Sequence, residues 1–157
     1  MKKVILLCTA LISTCILIST AAACTDPLTQ GYWKTHSKYG PASYDDAWGR
    51  LYGLGEDTPF FDSGKTYYEV LTTPPVDGNA FYILAHQWIT AKLNMINGAK
   101  MLGDPCDPTT VMGANLGAYN LLETYAGDMS IPAGEDREHA IEYATILDNF
   151  NSGVGLM

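Results

Sequence analysis

Asp77 to Asn97 reads DGNAFYILAHQWITAKLNMIN, and the way this stretch folds decides the architecture. Wound at about 100° per residue, it puts Phe81, Leu84, Trp88, Ala91 and Met95 on one side. Tyr82, Ile89 and Leu93 lie almost opposite. A helix apolar over most of its circumference has to be covered from several directions. The stretch therefore predicts a buried central helix, ended by Gly98. One narrow strip stays polar: His86, Gln87, Thr90 and Asn94. A buried polar group without a partner costs about 1–3 kcal/mol. The strip is therefore a solvent edge, a satisfied buried network or the lining of a ligand pocket, and the sequence leaves the three open.

The covering helices are sought on either side. Downstream, Asp107-Pro108 reads as an N-cap followed by a first-turn proline, opening a helix to about Tyr125 that Gly127 stops. Gly113 and Gly117 weaken it by about 1 kcal/mol each relative to Ala, unless they allow a neighbouring helix to approach closely. A last helix spans about Glu135 to Asn151. Its first turn is acidic, which suits the helix dipole, and Ala140, Ile141, Ala144, Leu147 and Phe150 form its inner stripe before Gly153.

Upstream the signals are shorter. Thr29 caps a helix to about Lys38, stopped by Gly40-Pro41. Ser43, with Asp46 three residues on, opens a second with Tyr44, Ala47, Trp48, Leu51 and Tyr52 on one face, ended by Gly53. Thr66 and Glu69 form a capping box for a short helix that dies at Pro74-Pro75. No strand alternation is sustained. The fold expected is all-α: three long C-terminal helices forming the core, with short aromatic N-terminal helices laid over them.

The first residues read as an address. Lys2 and Lys3 precede a mostly apolar run from Val4 to Ile18, and Ala21-Ala22-Ala23 supplies small residues before a cleavage point at Cys24. Residues 1–23 are thus expected to be a secretory signal, and 24–157 a single all-helical domain. The run is short for a membrane-spanning helix, which needs about 20 apolar residues, so no transmembrane segment is expected. The competing reading is a lipid anchor on Cys24, although Ala21 stands where such signals usually carry Leu.

The remainder holds 7 basic and 17 acidic residues, a net charge of −10. That excludes nucleic acid, whose phosphates need basic patches, and binding to anionic lipid surfaces. It leaves room for a cationic ligand. Cys24 and Cys106 are the two cysteines outside the signal, and in an exported chain they are expected to pair as a disulfide.

Two features carry the polar chemistry. The first is TQGYWKTHSKYG, Thr29 to Gly40, in which Tyr32, Trp33 and His36 share a helical turn. Rings around a histidine form either a binding surface or a core rim. The second is the His86–Asn94 strip. If the two meet, His36 and His86 with a carboxylate would make a zinc set, although the chain has no HExxH motif and no cysteine cluster. His139 stands among acids on a face expected to be solvated. The loop GLGEDTPFFDSG holds Glu56, Asp57 and Asp62 but lacks the alternation of a calcium loop. There is no nucleophile elbow and no phosphate loop. Carboxylates abound, but no glycosidase pair is singled out.

TQGYWKTH, YYEVLTTP and LAHQWITAKLN, in this order after Cys24, resemble a family of exported bacterial proteins of uncharacterised function. In that family a TQGYWKxH segment precedes an LAHQxIxAKLN helix. The likeness covers about Cys24 to Gly98, and LDNFNSG in the C-terminal third matches more loosely. Thr35 stands where the family pattern often has Asn. The resemblance implies export and picks out Trp33, Lys34, His36, His86, Gln87, Lys92 and Asn94, without giving any of them a role. With Tyr32 these are the candidate binding residues; no cofactor is implied. The reading is a non-enzymatic envelope or extracellular module, which binds a glycan, surface polymer or protein partner or serves as a structural subunit of a surface assembly. The alternative is a secreted hydrolase, metal-assisted or metal-free, using His36 and His86.

Overall fold

The structure is a computed structural model that describes residues 25–154, so the signal segment and the lipidation or disulfide pairing of Cys24 lie outside the described residues. The element order is α1 (Gln30–Thr35), α2 (Asp46–Gly49), α3 (Tyr67–Thr72), α4 (Ala80–Ile96), α5 (Val111–Tyr125) and α6 (Glu135–Asn151). Short 3₁₀ turns stand at Gly55–Asp57 and Val76–Gly78. Among the described residues there is no strand, so the chain is all-α. None of the described helices is long and apolar enough to cross a membrane.

The central helix is α4, and it packs against α1, α2, α3, α5 and α6. Phe81, Leu84, Trp88 and Ala91 on one side and Tyr82, Ile89 and Leu93 on the other are all buried, whereas Met95 is half-buried. It starts three residues later than the pattern predicts. Asn79 caps it, its Oδ1 accepting from Phe81 N at 3.0 Å, while Asp77 sits at a left-handed φ of 53° that a helix excludes. At the other end Gly98 turns the chain at φ 103°, and its N–H donates to Met95 O.

The flanking helices follow their local signals, with three departures. The first helix ends at Thr35 instead of Lys38, because the chain doubles back. Ala42 N and Asp45 N donate to the carbonyls of Thr35 and His36, and Gly40 passes so close that a Cβ there would stand 2.1 Å from Thr35 O. The second helix is capped by Asp45, whose Oδ1 accepts from Ala47 N at 2.8 Å, and not by Ser43. It is over by Gly49, so Tyr44 and Tyr52 are exposed while Ala47, Trp48 and Leu51 are buried. The third departure is at α5, which is capped by Thr110 instead of Asp107. The Asp107 carboxylate closes a turn on Thr109 N (3.0 Å) and Oγ1 (2.7 Å), spending itself before the helix begins. The Thr66–Glu69 capping box forms as read. The bounds of α6 are as predicted, and Ala140, Ala144, Leu147 and Phe150 are buried with Ile141 half-buried.

The glycines of α5 are close-approach sites. A Cβ on Gly117 would lie 2.5 Å from the Tyr143 ring of α6, and one on Gly113 would lie 1.9 Å from Asp107 O. The lost helix propensity is the cost of bringing α6 and the preceding loop against α5.

Candidate functional site

The two polar features of the sequence do meet, through Trp33 and Asn94. Trp33 is fully buried, and its Nε1 donates to Asn94 Oδ1 at 3.0 Å. The same oxygen accepts from Leu28 N at 2.8 Å. Asn94 Nδ2 donates to Leu28 O at 2.9 Å and to Asn151 Oδ1 at 3.0 Å. Asn151 Nδ2 in turn donates to Gln87 O and Gln87 Oε1, both at 3.0 Å. An amide has two donors and two acceptor lone pairs, so the side chain of Asn94 is saturated. It ties the segment before α1 to α4 and, through Asn151, to the end of α6. Trp48 Nε1 donates to Trp33 O at 3.0 Å and adds α2 to the same knot.

The remaining candidates fall into separate places. His86 is 6 % exposed and its Nε2 lies 3.0 Å from Val70 O. A carbonyl only accepts, so Nε2 carries the proton. Burial, reinforced by the nearby Lys34 charge, pushes the His86 pKa down, against the opposing carbonyls of Val70 and Thr73. Lys34 is half-buried, and burial lowers its pKa too. His36 stacks on Tyr32 with ring centroids 3.8 Å apart, and its Nδ1 lies 2.9 Å from Tyr32 O. Tyr32 Oη donates to Asp45 Oδ2 at 2.8 Å, which with burial raises its pKa.

His36 and His86 therefore share no partner, and the zinc set is not assembled. Among the described residues no group of three or more His, Cys, Asp or Glu side chains converges as metal ligands. The loop acids do not converge either. Glu56 is buried and accepts from Lys38 N at 2.6 Å, Asp57 pairs with the Lys38 ammonium, and Asp62 is exposed. Trp33, His86, Asn94 and the amide of Gln87 serve the fold and offer little to a ligand.

What the structure opens instead is a concavity of about 450 Å³ lined by Tyr39, Asp57, Thr66, Tyr68 and Glu69. That is within the usual range for small-ligand sites. Its shape follows from three local devices. Glu56 grips the backbone of Lys38, and Asp57 takes both the Lys38 ammonium and Tyr39 Oη (2.6 Å). This fixes Tyr39 against Tyr68, with ring centroids 4.9 Å apart and planes tilted by 41°. Finally the capping box turns Glu69 toward Thr66, Oε2 accepting from Thr66 N at 2.8 Å.

Both carboxyls are held below their ordinary range. Lys38 and Tyr39 do this for Asp57, and the backbone N–H and hydroxyl of Thr66 do it for Glu69. The site therefore presents two aromatic faces, with Tyr39 57 % exposed, between ionised hydrogen-bond acceptors.

Reading the sequence singled out none of these four side chains for this role, although each sits in a quoted motif. Tyr39 belongs to TQGYWKTHSKYG, Asp57 to GLGEDTPFFDSG, and Tyr68 and Glu69 to YYEVLTTP. The signal available was aromatic density beside acids; the pairing across 29 residues was not readable. No protein-family model, curated protein or solved structure matches this chain.

Proposed function

We propose that this is an exported bacterial envelope or extracellular protein, a non-enzymatic module that binds a neutral glycan in the concavity between Tyr39 and Tyr68. The observation that carries the reading is exposed Tyr39 tilted against half-buried Tyr68 and flanked by Asp57 and Glu69. Sugar rings present apolar C–H faces that stack on aromatic rings and hydroxyls that donate to carboxylates. Aromatic rings supply rigid contact area at low entropic cost.

Charge favours a neutral sugar. Lys38 compensates Asp57 locally, and the acidic chain repels polyanions. Binding is favoured over hydrolysis because glycoside cleavage needs one carboxyl kept protonated near neutral pH, and both carboxyls here are held ionised. Export rests on the signal-like residues before Cys24 and on the family resemblance of TQGYWKTH and LAHQWITAKLN.

The test is a screen of neutral polysaccharides and oligosaccharides against the wild-type protein, Tyr39→Ala and Tyr68→Ala. Each substitution is expected to weaken binding about tenfold or more while leaving the helical circular dichroism unchanged. Undiminished binding by both folded variants, or hydrolysis of a bound glycan by the wild type, would overturn the reading.

A further inference from the structure

A second aromatic site lies around Lys92. Its ammonium stands 5.3 Å from the Tyr52 ring centroid and 5.6 Å from that of Trp88, both within cation–π range. Tyr67 closes the third side, 6.0 Å from Tyr52 and 6.2 Å from Trp88 between ring centroids. Phe61 and Tyr119 extend the wall behind Trp88, at 5.8 and 6.1 Å. The one ion pair among the described residues is Lys38–Asp57, so what holds the Lys92 ammonium is aromatic and not carboxylate.

Two independent features set this place apart from ordinary core rim. Tyr52 and Phe61 both adopt φ 47°, a left-handed conformation that an L residue with a bulky side chain adopts only under strain. Strain of this kind is kept where the surroundings over-determine it, and it clusters at ligand clamps. Here it holds two rings at the wall, one of them 59 % exposed. The second feature is electron richness. The Tyr67 ring stands 6.0 Å from that of Tyr52, and burial, with the Tyr52 and Tyr119 phenols nearby, pushes the Tyr67 pKa far up. Ring faces and phenol oxygens both favour a cation.

We propose that Tyr52, Tyr67 and Trp88 form a receptor for a quaternary ammonium head group, with Lys92 as its built-in occupant. A methylated ammonium fits such rings better than the lysine does. It spreads its charge over apolar methyl groups, loses little hydration on entry, and needs no hydrogen-bond acceptor. Lys92, on its flexible stem, is displaced when the ligand enters. The acidic chain adds long-range attraction for cations. This site is distinct from the Tyr39–Tyr68 concavity, and neither depends on the other.

Choline chloride is the probe, titrated calorimetrically into the protein against sodium chloride at matched ionic strength. Lys92→Ala, which removes the internal competitor, is expected to bind choline about tenfold more tightly than wild type. Tyr52→Gly in the Lys92→Ala background removes the exposed ring and relieves the positive φ. It is expected to lose that tenfold while the fold, read by circular dichroism, is kept. If Lys92→Ala gains nothing, if Tyr52→Gly loses nothing, or if neither wild type nor Lys92→Ala binds choline up to roughly 100 mM, the proposal is overturned.

Discussion

Replacing Asn94 by Ala removes four hydrogen bonds at once, and two of them are fully buried. The orphans left inside are the indole N–H of Trp33 and Oδ1 of Asn151. Each buried unpaired group costs about 1–3 kcal/mol, so the two together cost about 2–6 kcal/mol. The Leu28 N–H and carbonyl are only part-buried and can turn to water, so they add less. Against a typical total stability of about 5–15 kcal/mol, the loss is a large share.

The assay is urea unfolding followed by helical circular dichroism. With a slope of about 2 kcal/mol/M, the midpoint is expected to fall by about 2 M. Asn94→Asp keeps the shape but sets a carboxylate oxygen against Leu28 O and Asn151 Oδ1, and at neutral pH it is expected to cost at least as much. Trp33→Phe supplies the internal control, because it deletes the donor that Asn94→Ala orphans. In the Asn94→Ala background it is expected to cost at least about 1 kcal/mol less than in wild type. A midpoint shift below about 0.5 M, or strictly additive single costs, would refute the idea that this amide ties the N-terminal segment to α4 and α6.

Two further outcomes follow from closely packed groups. His86 has its folded pKa lowered below the ordinary imidazole value of 6.5, so the unfolded chain binds its proton first. Stability is therefore complete above that value and is lost as pH falls through it, by at most about 1.4 kcal/mol per pH unit. Urea midpoints at pH 7.5 and 5.5 should differ in wild type and converge in His86→Gln. The depressed carboxyls of Asp57 and Glu69 act only at lower pH, since their ordinary values are 3.8 and 4.5. Gly117→Ala should gain about 1 kcal/mol of helix propensity and lose about 1–3 kcal/mol to the clash with Tyr143, for a net loss. In a Tyr143→Ala background the same substitution should become stabilising, and thermal unfolding of the four proteins checks the change of sign.

Much of the helical order was legible because it is locally encoded. The Thr66–Glu69 box, the limits of α6 and the all-round apolar character of α4 each depend on side chains within a turn or two of one another. Two of the misjudged boundaries, the starts of α5 and α2, are local competitions between neighbouring cap residues. Asp107 and Thr110 both offer cap oxygens, and Asp107 spends its carboxylate on Thr109 first. Ser43 and Asp45 compete in the same way at α2, where Asp45 takes the Ala47 N–H.

The sequence by itself determined that the chain is helical, that one helix is surrounded, and that Trp33, His86 and Asn94 carry unusual polar weight inside an apolar setting. It determined the acidic balance as well, since charge is a sum over residues and needs no geometry. Only the tertiary structure decided what that polar weight is for. The Trp33–Asn94 bond joins residues 61 apart, and the Asn94–Asn151 bond joins residues 57 apart. Hydrogen bonds act over about 3 Å, so no periodicity within a helix can announce a partner that far along the chain. The same reason hid the Tyr39–Tyr68 concavity and the rings around Lys92, whose parts become neighbours only when the short N-terminal helices close over α4.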